Sequence, residues 1–412
     1  MSRIVLKFGG TSVGSVERIN HVAKIVKSEV DLGNQIVVVL SAMAGETDRL
    51  INLTKELSND FQDSEFDVVI SSGEQVTAGA LSGLLNSLGI KAQSRLGWQI
   101  PIVTSGDHKS ARIEAIHSKE LINLLELNEV IVIPGFQGIN SEGRITTLGR
   151  GGSDTSAVAI AAAIDADFCD IYTDVDGVYT SDPNKVPTAK RLDKISYEEM
   201  LEMASLGAKV LQTRSVETAM NNDVVLRVLS SFSDLGEDKK GTLVCPEDSI
   251  ADKKIVTGVA ASTNDSKLTL TGIKDKPGVA AEILSVLADD GINVDMIVQN
   301  ISDDRKTTDL TYTVPNDESI RAKELMEGLS SSLSYKELIV DNNIAKISIV
   351  GVGMRSNAGV ASQMFRVLSQ NNINIDVIST SEIKISVLIN KGLTEKALNT
   401  LHDHFELGNT TN

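Results

Sequence analysis

Lys7 stands two positions before the adjacent glycines Gly9 and Gly10, and Arg150 stands inside a second glycine cluster, Gly149, Gly151 and Gly152, directly ahead of Ser153 and Asp154. Adjacent glycines let a backbone come close to something bulky, and a lysine beside them can offset the charge of a phosphate. Arg150 can grip a carboxylate through two parallel hydrogen bonds. The start of the apolar, Ala-rich helix that follows exposes backbone N–H groups suited to an anion, and Ser153 or Asp154 is expected to cap it. The shared chemistry is the handling of anions. The glycine spacing in KFGGTSVGS resembles a phosphate loop, but Ser15 and Val16 stand where a Walker A motif needs Lys and Ser/Thr. The plain alternatives are a strand–turn–helix with a surface lysine and a flexible loop with an ordinary cap. Glu74, in SSGEQVTAG, is expected at a helix start, where it either favours the dipole or binds an ammonium group. Lys209, in SLGAKVLQTRS, is a further candidate cation or a solvated side chain. The stretch YTDVDGVYTSDPNKVPTAKRL (172–192) is dense in turn residues without apolar periodicity. Loops of that length are often functional, and this one could wrap a nucleotide. His402 and His404 are expected to be exposed, since no third metal ligand accompanies them.

The elements that must position these residues alternate. Ile4–Phe8 is a candidate strand, and Ser15 a candidate N-cap for a helix with Ile19, Val22, Ala23, Val26 and Val30 on one face, ended by Gly33. QIVVVLSAM (35–43), EVIVIPGF (129–136), FCDIYTDV (168–175) and VVLRVLSS (224–231) are short apolar runs of the buried, parallel kind, the last of them closing the series. A helical pattern covers 73–89. Such alternation predicts an α/β sandwich around a mostly parallel sheet, with ligands at the carboxyl ends of the strands. Lys7, Ser41 and Asp174 fall at such ends. After a polar, turn-rich boundary at 233–254 comes a duplication. GVAAEILSVLADDGINVDMI (278–297) aligns without a gap on GVASQMFRVLSQNNINIDVI (359–378), with roughly half the positions identical. Each copy follows a candidate strand, 267–273 or 346–352.

The 412 residues imply two or three domains. A net charge of -17 argues against nucleic-acid or anionic-membrane binding, and 3% aromatic content argues against a base-stacking surface. Cys169 and Cys245 form no disulfide or zinc framework and suit a reducing compartment. No apolar signal core or membrane-spanning run is present, so a cytoplasmic location is expected.

Taken together, KFGGTSV, VVLSAMAGETD, SSGEQ, PGFQG, TTLGRGGSDTSA, the 171–192 stretch, EMLEMASLGAKVLQTRSVETA and the two GVA…IN[VI]D copies resemble the aspartate kinase family, nearly end to end. The resemblance implies an amino-acid-kinase-like three-layer α/β/α sandwich over 1–245. Two ferredoxin-like ACT modules follow at 265–340 and 341–412, with the strand 253–263 completing the second in space. It implies transfer of the ATP γ-phosphoryl to the β-carboxylate of L-aspartate, with Mg2+ arriving on ATP. By the same resemblance, Lys7, Asp154 and Lys209 are catalytic. Lys7, Phe8, Gly9, Gly10, Thr173, Asp174, Tyr179, Asp182 and Lys185 hold the nucleotide. Ser41, Thr47, Glu74, Arg150, Gly151, Gly152 and Ser153 hold aspartate. Asp275, Gly278, Val279, Ala280, Asn293, Asp295, Gln299 and Asn374 are regulatory candidates for lysine, threonine or both. Val279 replaces the acidic residue of some lysine-sensitive relatives, which leaves threonine open. With no methionine between Met220 and Met296 for an internal start, a homo-oligomer paired through ACT modules is expected. The competing readings are a kinase of the same fold acting on glutamate-like or carbamate substrates, and an amino-acid sensor with an inactive kinase domain.

Overall fold

The computed structural model describes residues 1–127, 129–207, 210–233, 241–251, 254–301 and 306–408. The chain divides into two compact units, Met1–Val178 with Arg191–Asp252, and Tyr179–Lys190 with Lys253–Asn412.

The first unit is built on an eight-stranded sheet. Its order is Lys194–Ser196, Thr242–Cys245, Leu226–Ser230, Phe168–Thr173, Arg3–Phe8, Gln35–Leu40, Val130–Pro134 and Ala92–Ser94. The central strands pair in parallel, while Thr242–Cys245 runs antiparallel to Leu226–Ser230. Continuous apolar runs become central strands because both faces are covered: Ile36–Leu40 and Val130–Pro134 are wholly buried. The expected last strand is therefore followed by one more, Thr242–Cys245, inside the polar boundary. It is only four residues long, and pairing with Leu226–Ser230 on one side and Lys194–Ser196 on the other makes it a strand. Ser15 caps the Val16–Asp31 helix by accepting from the Arg18 N–H at 3.2 Å. A second, four-stranded sheet (Ile113–Ile116, Ile102–Thr104, Gln137–Ile139, Ile145–Thr147) lies beside the Asp63–Ser87 helix.

The second unit holds two four-stranded antiparallel sheets. In one, Asp265–Lys274 lies between Thr307–Pro315 and Glu337–Asp341, with Asp295–Ile301 at the edge. Val279, Ile283 and Leu287 of one helix and Ala322 and Met326 of another fill its core. In the other, Gly258–Ser262 pairs with Ile344–Val350, followed by Lys384–Asn390 and Val377–Thr380. The helices Val360–Gln370 and Thr394–His404 cover that sheet. Each copy of the duplicated segment is thus a helix and the strand after it, in matching places. Among the described residues no helix is long and apolar enough to cross a membrane.

Candidate active site

Lys7 is the penultimate residue of Arg3–Phe8, registered between Val39 and Ile171 on the neighbouring parallel strands. Its ammonium lies 2.5 Å from Asp154 Oδ1, with both side chains about nine-tenths buried. The strand ends here because the chain turns into a short 3-10 segment, Gly10–Val13. A side chain at Gly9 would lie 3.5 Å from the Lys7 ammonium. One at Gly10 would lie 3.0 Å from the Ala42 carbonyl, where the Ala44 N–H donates to Gly10 O at 3.2 Å. The glycine at position 10 is therefore required by chain-against-chain packing, and Gly9 keeps the face of Lys7 open. The Phe8 ring is fully buried and stacked on Tyr172, so only its backbone could serve a ligand.

Asp154 comes from the Gly152–Ala163 helix. Its N-cap is Gly151, in the left-handed region at φ 72°, and no side chain caps it. Ser153 and Asp154 are not caps, contrary to the sequence expectation. They sit in the first turn, where Asp154 complements the helix dipole and the first N–H groups lack a side-chain acceptor. The GGS run makes this possible because only glycine enters the left-handed turn without strain. The turn is pressed against the chain after Val130–Pro134: a side chain at Gly135 would lie 2.8 Å from Ser153 Cβ. Phe136 is held left-handed at φ 69° with its N–H on Ser156 Oγ at 3.0 Å. Strain of this kind in a non-glycine residue clusters at functional sites.

Glu74 lies in the middle of a helix, Asp63–Ser87, and not at a helix start. Gly73 there is a packing residue, since a side chain on it would come within 2.8 Å of Ala42 Cβ. Glu74 Oε1 accepts from the Ala42 N–H at 3.2 Å, while Oε2 is buried with no hydrogen-bond partner. Burial pushes the Glu74 carboxyl up to about 7. Thr77 donates to the Ser41 carbonyl at 2.9 Å, and Ser41 N–H donates to Phe8 O at 3.1 Å. Thr47 is half-buried in the first turn of Glu46–Leu57, after the left-handed Gly45. Arg150 is exposed, and no ion pair or hydrogen bond is formed by it among the described residues. Lys7, Gly9, Gly10, Ser41, Glu74, Ser153 and Asp154 are thereby gathered at the carboxyl ends of the central strands. The unmatched Glu74 oxygen, the free Arg150 fork and the uncapped helix start can receive a molecule bearing an ammonium group and carboxylates. Lys209 lies outside the described residues.

Thr173 and Asp174 end the Phe168–Thr173 strand, and Thr173 donates to Asp174 Oδ1 at 3.0 Å. A link not anticipated from the sequence joins this end to the Gly9–Gly10 turn. Ser12 Oγ bonds Ser231 Oγ at 2.8 Å, Ser231 Oγ donates to Thr173 O at 3.1 Å, and Arg18 stacks 3.8 Å over Phe232. Tyr179, Asp182 and Lys185 belong to the second unit. There Val259 N–H donates to Thr180 O at 2.8 Å, Asn399 to Lys185 O at 2.9 Å, and Val186 enters the apolar core. His402 is completely buried rather than exposed: its ring meets Thr180 at 2.9 Å and Thr188 at 3.3 Å, and burial lowers its pKa. His404 is exposed.

Of the regulatory candidates, Asp275, Gly278, Asn293, Gln299 and Asn374 are exposed, and Ala280 is half-buried in the first turn of the Val279–Asp289 helix that Gly278 caps at φ 94°. The Val279 side chain is in the core and faces no solvent. Asp295 accepts from Lys346 at 2.8 Å, and the repeat-equivalent Asp376 accepts from Lys267 at 3.3 Å, so each copy takes a lysine from the other module. Charge pairs across 51 and 109 residues leave no local signal.

Comparison with known proteins identifies the family. Residues 2–230 match the amino acid kinase family, and 268–327 and 347–405 each match the ACT domain. The chain is 52% identical over 410 residues to an aspartate kinase of Pseudomonas fluorescens, covering 99% of this chain and 98% of that one. It superposes on Escherichia coli aspartokinase III in complex with aspartate and ADP (R-state) with a TM-score of 0.81 at 26% identity, covering 97% and 99% of the two chains. On the same enzyme in complex with lysine and aspartate (T-state) the score is 0.78 at 27% identity, covering 98% and 99%. By these family matches and the full-length likeness, the chain belongs to the aspartate kinase family, built on the amino acid kinase fold with tandem ACT domains.

Proposed function

We propose that the chain transfers the γ-phosphoryl of ATP to the β-carboxylate of L-aspartate, giving 4-phospho-L-aspartate, the first step towards lysine, threonine and methionine. The buried Lys7–Asp154 pair beneath an uncapped helix start carries this reading. The acceptor carboxylate, with a pKa of about 4, is already ionised near neutral pH and needs no general base. A carboxylate oxygen attacks the γ-phosphorus, the bond to the bridging oxygen breaks, and ADP leaves. The barrier is the approach of an anion to a polyanion, so catalysis is positioning plus charge stabilisation. Lys7 offers a cation at the strand end, and Asp154 holds it in place. Lys209 is assigned the second cation by its motif. Glu74 takes the substrate ammonium, and Arg150 takes the α-carboxylate at the turn formed by Gly151, Gly152 and Ser153. Ser41 and Thr47 add hydrogen bonds.

For the nucleotide, the amides of Phe8, Gly9 and Gly10 with Thr173 and Asp174 lie at adjacent strand ends. Tyr179, Asp182 and Lys185 are assigned by the motif alone. No cluster of three His, Cys, Asp or Glu side chains capable of holding a metal occurs among the described residues. Mg2+ is assigned to the phosphates and water of ATP, where it would neutralise phosphate charge. Lysine and threonine, singly or together, are the proposed effectors of the ACT pair in a cytoplasmic homo-oligomer. The lysine complex of the related E. coli enzyme supports lysine as one of them.

The test is aspartate-dependent ADP release from Mg-ATP, run alone and with lysine, threonine or both. Turnover that falls with one of them is expected. Absent turnover with amino acid still bound would favour the sensor reading. A steric test is also available. In Gly135→Ala the new side chain collides with Ser153 at 2.8 Å. A shift of the helix start by about 1 Å is expected to lower kcat/KM roughly a hundredfold. Steady-state kinetics beside an unchanged circular-dichroism spectrum would show it, and wild-type kinetics would remove Ser153 from the site.

A further inference from the structure

We infer that Asp67 is a positioning residue that fixes the reach of Arg150 relative to Glu74. The inference rests on the assignment of Arg150 to the α-carboxylate made above. Asp67 lies on the same helix as Glu74, seven residues before it, and is completely buried. At about 1.5 Å per residue and 3.6 residues per turn, that spacing puts the two carboxylates on one face, roughly 10 Å apart. The polar partners of Asp67 are protein groups. It accepts from Thr147 Oγ1 at 2.6 Å and from the Lys109 N–H at 3.2 Å to each oxygen, and it contacts the His108 ring at 2.7 Å. The Lys109 ammonium pairs elsewhere, with Asp63. A buried carboxylate without a guanidinium or ammonium partner costs stability unless its hydrogen bonds are complete, so what these bonds hold matters.

They hold both sides of the turn that presents Arg150. Thr147 is three residues ahead of Arg150 and ends the Ile145–Thr147 strand. Lys109 lies in the facing segment, and its carbonyl would meet a side chain on Gly149 at 3.0 Å. Lys109 itself is left-handed at φ 65°, a conformation that must be held in place by its surroundings. The two segments are stitched by the Ala111 N–H on Thr147 O at 2.9 Å. From the other side, Arg214 donates to Leu148 O at 3.0 Å and to Ala111 O at 2.9 Å. The Gly149–Arg150 turn is thus braced between a buried anion on the helix that carries Glu74 and a cation on the Thr213–Asn221 helix. One rigid helix then carries both the group for the substrate ammonium and the anchor of the group for its α-carboxylate.

The test uses the full-length enzyme with saturating Mg-ATP. Asp67→Ala is expected to raise KM for aspartate about tenfold, the loss of hydrogen bonding to a charged clamp, with kcat and KM for ATP within about threefold. The inhibition constant of 3-aminopropanoate, which is aspartate without its α-carboxylate, should stay unchanged. In an Arg150→Ala background, Asp67→Ala should add nothing. Thr147→Val removes one of the three donors without changing shape, and should move KM for aspartate in the same direction by less. It decides the matter if Asp67→Ala does not fold. Equal weakening of aspartate and 3-aminopropanoate, or additive effects in the double variant, would mean that Asp67 is merely structural. If Arg150→Ala raises KM while neither Asp67→Ala nor Thr147→Val does, this inference alone falls. If Arg150→Ala leaves KM unchanged, the assignment of Arg150 falls and takes the inference with it.

Discussion

Replacing Lys7 by alanine is expected to lower kcat for aspartate-dependent ADP release by about a thousandfold or more, equivalent to roughly 4 kcal/mol of transition-state stabilisation. The ammonium sits near the end of a strand buried from Ile4 to Phe8, where little water reaches and a fixed charge acts more strongly than in bulk solvent. The backbone amide of Gly10 can still orient phosphates, so KM for ATP should change far less than kcat. The variant also strands Asp154, buried and without its 2.5 Å partner, which destabilises the fold. Lys7→Met combined with Asp154→Asn separates the effects: thermal stability should recover towards wild type while activity does not. Lys7→Arg should not restore turnover, because a planar fork cannot occupy the point position of an ammonium 2.5 Å from one carboxylate oxygen. Stopped-time ADP assays with melting curves check all three variants, and a kcat within tenfold of wild type in Lys7→Ala would contradict the role given to this residue.

Glu74→Gln is expected to lower kcat/KM for aspartate by about ten- to a hundredfold and, at pH 8, to make the protein more stable. Burial holds the Glu74 carboxyl at about 7, above its ordinary value of 4.5. Its neutral form is the comfortable one in the folded protein. The associated stability is therefore fully present below pH 4.5 and is lost as pH rises through about 7. At pH 8 the ionised carboxylate costs roughly 3 kcal/mol relative to a neutral amide, an advantage for Gln that should shrink towards zero in acid. Activity runs the other way. The ionised form pairs with the substrate ammonium, so wild-type kcat/KM for aspartate should climb through pH 7 and level off above it, with protons released on binding near neutrality. In Glu74→Gln that limb should vanish. A wild-type profile flat from pH 6 to 8 would be incompatible with Glu74 as the ammonium partner. The opposition of stability and activity at one residue is the usual signature of a strained binding group.

Much of the site was legible from types and spacing. Lys7 beside two glycines, and Ser41 and Asp174 after apolar runs, all lie at the carboxyl ends of parallel strands as expected, because parallel strands carry their loops at one edge. Ser15 capped its helix, since capping is settled by neighbours in sequence. The failures share a cause. Gly73 looked like a helix boundary because glycine disfavours helix interiors; contact with Ala42 outweighs that preference, and so Glu74 lies in mid-helix. Ser153 looked like a cap because its type fits, but Gly151 takes the position through its left-handed backbone. His402 was expected to be exposed because no third metal ligand accompanies it, yet Thr180 and Thr188 enclose it from another part of the chain.

The sequence by itself therefore determined the five central parallel strands, the duplication after residue 265 and the glycine–cation clusters. All of these depend on hydrophobic period and turn chemistry, which act over a few residues. Only the tertiary structure decided which charges are buried and with whom: Lys7 with Asp154, Asp67 with Thr147, Lys346 with Asp295, and Glu74 with one oxygen unmatched. Burial and ion pairing depend on atoms brought together from distant positions. The same carboxylate is an ordinary acid in one packing and a near-neutral titrating group in another.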